Sequence, residues 1–111
     1  MRGQYEAEKF LLNKGYKILE QNYRIKTGEI DLIAQDGEFI VFIEVKFRSS
    51  LSHGLPREAV GSTKQQKIIR TATHYISKRS LDSQDFRFDV VEVLLQNERV
   101  LINHIENAFG V

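Results

Sequence analysis

The 111-residue chain predicts an α/β domain (α+β by some definitions), with a mixed sheet and elements in the order α-β-β-β-α-β-β. Three observations predict it. Two runs rich in Ile, Val and Phe, 29–35 and 38–48, flank Asp36-Gly37, a pair that two-residue hairpin turns favour. Apolar residues at helical spacing then run through 56–79, between that hairpin and a second group of strand-like residues. Hydrophobic residues make up 41% and charged residues 28%, the balance of one globular domain spanning 1–111.

Residues 3–14 predict the first helix: Ala7, Phe10 and Leu11 form an apolar stripe and Gly15 supplies a stop. A short strand is expected over 16–24, a turn at Thr27-Gly28, and then the two hairpin strands. Ser49 to Pro56 is a polar loop holding the only proline. In the second helix, 56–79, Val60, Ile68, Ile69, Ala72, Tyr75 and Ile76 share a face, and Gly61 weakens the first turns. A loop at 81–85 leads to a strand over 86–95, and Asn97-Glu98 turns it into a last strand at 99–106.

Composition narrows the chemistry. The longest apolar run, Phe39 to Ile43, is far short of the ~20 residues a membrane helix needs. The first residues carry no apolar signal core, so a cytoplasmic protein is expected. There is no cysteine, which excludes disulfides, thiolate nucleophiles and cysteine-held metals. His53, His74 and His104 have no metal-ligand spacing, so any metal is expected on carboxylates, as a hard cation such as magnesium or manganese. Net charge is only +1, but residues 56–79 hold Arg57, Lys64, Lys67, Arg70, Lys78 and Arg79 against the single acid Glu58. That is a local basic face.

The hairpin concentrates the candidate chemistry. With Asp36-Gly37 as the loop, Gln35 pairs with Glu38, Asp31 falls opposite Phe42 and Glu29 opposite Glu44. One face then carries Glu29, Asp31, Ile33, Ile40, Phe42, Glu44 and Lys46. The other carries Ile30, Leu32, Ala34, Phe39, Val41, Ile43, Val45 and Phe47 and is expected to be core. Asp31 and Glu44 are diagonal neighbours within reach of a shared ion. Carboxylates so close raise one another's pKa, and a divalent cation would remove that cost. Surface pairing of Lys46 with Glu29 or Glu44, worth about 0–1 kcal/mol, is the plain alternative. Apolar segments on both sides of the hairpin argue that both sheet faces are covered, which favours a site.

Gly28-Glu29-Ile30-Asp31-Leu32-Ile33-Ala34, Asp36-Gly37 and Val41-Phe42-Ile43-Glu44-Val45-Lys46 together resemble the signature of the bacterial YraN-like family. Gly15-Tyr16, Asn22-Tyr23-Arg24, His53-Gly54 with Pro56, Lys64 with Gln65, Ala72, Tyr75 and Phe88-Asp89-Val90-Val91 extend the resemblance over nearly the whole chain. The family is a poorly characterised branch of the PD-(D/E)xK nucleases. The resemblance implies a restriction endonuclease-like domain, a mixed sheet between helices. It also implies metal-dependent hydrolysis of nucleic-acid phosphodiesters, with DNA the expected partner. Asp31 and Glu44 match the two acids that hold magnesium, helped by the carbonyl of Val45, and Lys46 matches the lysine near the attacking water. Glu29 is either a ligand through water or a partner fixing Arg24 or Lys46. The family places a glutamate on the first helix where this chain has Gln4; Glu8, one turn on, is the candidate substitute.

On the second helix Lys64, Lys67 and Arg70 are candidate phosphate contacts, with Lys64 nearest the site; a solvated helix face is the alternative. Asp89, between apolar neighbours, is expected to be a buried hydrogen-bond or salt-bridge partner. Many such nucleases act as homodimers, though no dimer patch is readable. The rival functions are a nucleic-acid-binding module that no longer cuts, which Gln4 supports, and an adaptor that keeps only the fold.

Overall fold

A computed structural model describes residues 2–48 and 60–110. The elements are α1 (Arg2–Asn13), β1 (Lys17–Ile25), β2 (Gly28–Asp36), β3 (Phe39–Arg48), α2 (Ser62–Lys78), β4 (Asp85–Gln96) and β5 (Arg99–Phe109), in the expected order. The strands form a five-stranded mixed sheet ordered β1-β2-β3-β4-β5. Neighbours are antiparallel except β3 and β4, which run parallel and are joined through α2. This is the α/β architecture of a restriction endonuclease-like fold.

Helix ends follow local chemistry. At the end of α1, Gly15 takes φ 93° while the Tyr16 N–H donates to the Leu11 carbonyl and the Gly15 N–H to the Leu12 carbonyl, each at 3.0 Å. That is a Schellman stop, which needs a residue tolerant of the left-handed region. The second helix begins at Ser62, later than expected: Gly61 is an extended N-cap with no side-chain cap. An absent cap costs about 1 kcal/mol, whereas each large apolar side chain buried stabilises by roughly 1.5–3 kcal/mol. Buried Ile68, Ala72, Tyr75 and Ile76 therefore decide where this helix lies. The expected helical residues 56–59, His53 and the polar loop 49–56 lie outside the described residues.

Helices cover both sheet faces. Ala7 and Leu11 of α1 pack on Leu32, Ala34, Val41, Ile43, Val91 and Val93. Ile68, Ala72, Tyr75 and Ile76 of α2 pack on Ile33, Ile40, Phe42, Phe88 and Val90. Alternation along β2 and β3 sends one set to each helix, as expected. Ile30 departs from it and joins the α2 cluster. Phe39 and Phe47, expected in the core, are exposed at the strand ends.

Two turns also differ from expectation. The first hairpin pairs Ile25 with Gly28, so its turn is Lys26-Thr27 and Gly28 opens β2. The second pairs Asp36 with Phe39 and Gln35 with Ile40, so its turn is Gly37-Glu38. Gly37 has φ 59°, which fits a turn with glycine at its first central position. The shift is two residues, so face assignments survive while the partners change. The last hairpin is as expected: Asn97 and Glu98 both have positive φ, as a type I′ turn requires.

Candidate functional site

The β2–β3 ladder ends at Leu32 and Ile43. Continued by one step, its register sets Asp31 opposite Glu44 and not opposite Phe42. Here the two strands part. The Val45 N–H donates instead to the Asp31 carboxylate, at 2.8 Å. Ile30 facing the α2 core while Leu32 faces α1 marks the same local change in β2. Asp31 therefore stands at the fork between strands, where a side chain reaches across because backbone pairing has ceased.

The continued register sets the Glu44 carboxyl beside Asp31. Burial first, then the neighbouring Glu44 carboxyl, push Asp31 from 3.8 up to about 7. The Val45 N–H and Lys64 pull the other way and lose. Glu44 is only 6% exposed. Its Oε2 lies 2.7 Å from the Lys64 Nζ, brought in by the first turn of α2. Lys46 lies on the same face, half-buried beside Lys64; burial and then the Lys64 charge hold its ammonium below the ordinary lysine value. Lys64 itself is pulled down by burial but raised overall by Glu44 and Asp31.

The remaining residues singled out in the sequence divide. Glu29 forms an ion pair with Arg24 at 3.2 Å, at the exposed start of β2. Gln4 is buried, 9% exposed, and lines a cavity of about 300 Å³ with Tyr5, Glu8, Gln21 and Asn22. Glu8 accepts a hydrogen bond from the Gln21 amide at 2.5 Å. Lys67 and Arg70 are exposed on the flank of α2. Asp89 is fully buried and accepts hydrogen bonds from Arg87 and the Asn107 N–H, with the His104 ring 2.7 Å away, a structural partner as expected.

Two participants were not read from the sequence as they stand. Lys64 was assigned to phosphate, whereas here it holds Glu44. Glu92, 4% exposed, stands beside Lys46 in the β3–β4 register, is ion-paired with Arg48 and accepts a hydrogen bond from Asn103 at 3.1 Å. The signal for Glu92 was available: it is a lone acid on the face of β4 that also carries Phe88 and Val90.

A hard cation fits this donor set in chemistry, since the two carboxyls stand side by side at the fork and burial with the neighbouring Glu44 raises Asp31. Among the described residues no three His, Asp or Glu side chains gather round one point, so protein ligands beyond the pair would be backbone carbonyls, with water completing the shell. No helix among those residues is long and apolar enough to cross a membrane.

Comparison with known proteins places the chain. Residues 3–93 match the model of the uncharacterised protein family UPF0102. A UPF0102 protein of Alkaliphilus metalliredigens is 52% identical over 100 residues, covering 90% of this chain and 87% of its own. One from Clostridioides difficile is 51% identical over 107 residues, covering 96% and 92%. One from Syntrophus aciditrophicus is 50% identical over 107 residues, covering 96% and 84%.

Proposed function

The chain belongs to the uncharacterised protein family UPF0102, the YraN family, within the restriction-endonuclease-like superfamily, and on that premise we propose that it is a metal-dependent nuclease acting on nucleic acid, with DNA as substrate. The observation that carries the reading is the strand fork itself, where the register sets Asp31 beside buried Glu44 and Asp31 takes the Val45 N–H. A half-buried and a buried acid forced side by side cost stability, and such pairs gather where chemistry needs them.

In this reading Asp31, Glu44 and the Val45 carbonyl hold one magnesium or manganese ion. The ion supplies Lewis acidity and a bound water of lowered pKa. Lys46, two residues beyond Glu44 on the same face of β3, offers its ammonium to the charge that develops on the scissile phosphate. The same ammonium would also orient the attacking water. Where the family places a carboxylate on the first helix this chain has the neutral amide of Gln4, which lines a cavity with Glu8 and Gln21. Gln4 is what favours the second reading, a module that binds nucleic acid without cutting it. Selectivity on so short a chain comes from nucleic-acid structure or a partner, and duplex cleavage calls for two sites, hence a homodimer.

The test is incubation with single-stranded, duplex, flapped and four-way-junction DNA, with and without magnesium or manganese. Metal-dependent cleavage of one of them is expected. Lys46→Ala should lower it by about 10²–10⁴-fold while leaving DNA binding intact, because a transition-state contact is removed. In calorimetry, Asp31→Asn combined with Glu44→Gln should abolish the heat of metal binding. Equal heats from both proteins would remove the site; binding without cleavage would select the second reading.

A further inference from the structure

We propose that Lys64 is a tethered counter-cation of the acidic pair, occupying Glu44 until a divalent cation and a nucleic-acid phosphate bind together, and then passing to the phosphate. This rests on the metal-dependent reading above. Glu44 is buried and cannot be neutralised by bulk water, and Lys64 reaches it at 2.7 Å. When Asp31, Glu44, Lys46 and Lys64 are all ionised, their formal charges cancel. The cluster is complete in charge without a metal, so a cation arriving alone must evict an ammonium and leave it beside Lys46 with no partner. A phosphodiester supplies that partner. Lys64 is suited to the move, because its side chain is 50% exposed and rooted in the first turn of a helix that has no side-chain cap. Lys46 is fixed on β3, which stays paired with β4 at that point. The consequence is linkage: metal and nucleic acid should each tighten the other's binding, with Lys64 carrying the coupling.

Manganese affinity can be measured by calorimetry at one pH above the Asp31 range, with and without a short phosphorothioate duplex. The proteins are wild type, Lys64→Met, Lys64→Gln, Lys64→Arg and, as a control for loss of charge alone, Lys17→Met at the exposed far end of β1. Lys64→Met and Lys64→Gln should bind manganese about tenfold more tightly than wild type without DNA, the scale of one charge-assisted hydrogen bond. The gain that duplex brings in wild type should shrink in both. Lys64→Arg should restore wild-type behaviour, and Lys17→Met should leave it unchanged. Manganese binding by the two Lys64 variants no tighter than wild type would overturn the proposal while leaving the metal site standing. An equal gain in Lys17→Met would overturn it as general charge. Absence of manganese binding in every protein, with or without duplex, would remove the metal reading and this inference with it.

Discussion

Half-buried Asp31 and fully buried Asp89 belong to one sheet, yet their surroundings push them in opposite directions. Asp31, raised by burial and by Glu44 to about 7, binds a proton in the folded chain that the unfolded chain has released above 3.8. Its contribution to stability is complete below 3.8 and is lost as pH rises through about 7. Burial also pushes Asp89 upward, but hydrogen bonds from His104, Arg87 and the Asn107 N–H overcome that and hold it below 3.8. Its contribution is present above 3.8 and is lost as pH falls through its folded value. The two windows do not overlap, so urea midpoints of the metal-free protein should fall from pH 5 to about pH 8 and should also fall in strong acid. Asp31→Asn should flatten the first decline and leave the second. A wild-type midpoint that stays level across the neutral range would contradict the raised pKa. Manganese should reverse the neutral decline, because ligation requires the carboxylate.

Among the elements, the contact of α2 with β2 is the one on which the site depends, since it delivers Lys64 to Glu44. Gly28 permits it. A Cβ there would meet the Thr71 hydroxyl and lie 3.1 Å from the Lys67 carbonyl. The Thr71 hydroxyl already donates to that same carbonyl at 2.8 Å, so it has little freedom to retreat. Gly28→Ala should therefore destabilise by about 1–3 kcal/mol through overpacking. Adding Thr71→Ala should recover part of the loss, and a double-mutant cycle in urea would measure the coupling. Additive losses would place the strain elsewhere. From sequence, Gly28 reads only as a turn residue, because nothing local tells that a helix some forty positions on will lie against it. The same limit explains the other misses. Element order and sheet faces follow from local periodicity, and they were legible. The hairpin register was not, since Asp-Gly suits more than one turn and a two-residue shift leaves every face unchanged. Asp31 and Glu44 were legible as neighbours for that reason, whereas the Lys64–Glu44 pair depends on how α2 crosses the sheet.

At the scale of the molecule, charge is sorted along the sheet. The helix α2 lies on β2, toward the β1 edge, and its flank exposes Lys67 and Arg70, with Arg24 exposed on β1. The acid-rich segment 80–111 forms β4 and the opposite edge strand β5, where Asp89 is committed to internal pairing, Glu106 is paired with Arg87 and Glu98 is exposed. The flank of α2 is thus the candidate positive face of a near-neutral chain, and a polyanion should be oriented with that face inward before any specific contact forms. Lys64 is engaged by Glu44 and, in the metal-free state, should add little to that first encounter. Neutralising Lys67 and Arg70 together should then weaken duplex binding at low salt and reduce the slope of log affinity against log salt by about 0.9 for each contact removed. Lys64→Gln without metal should change that slope less than either of them. An unchanged slope in the Lys67→Gln, Arg70→Gln protein would mean that nucleic acid approaches from another side, and the assignment of α2 as the docking face would fall, although the acidic pair at the strand fork would be untouched by that result.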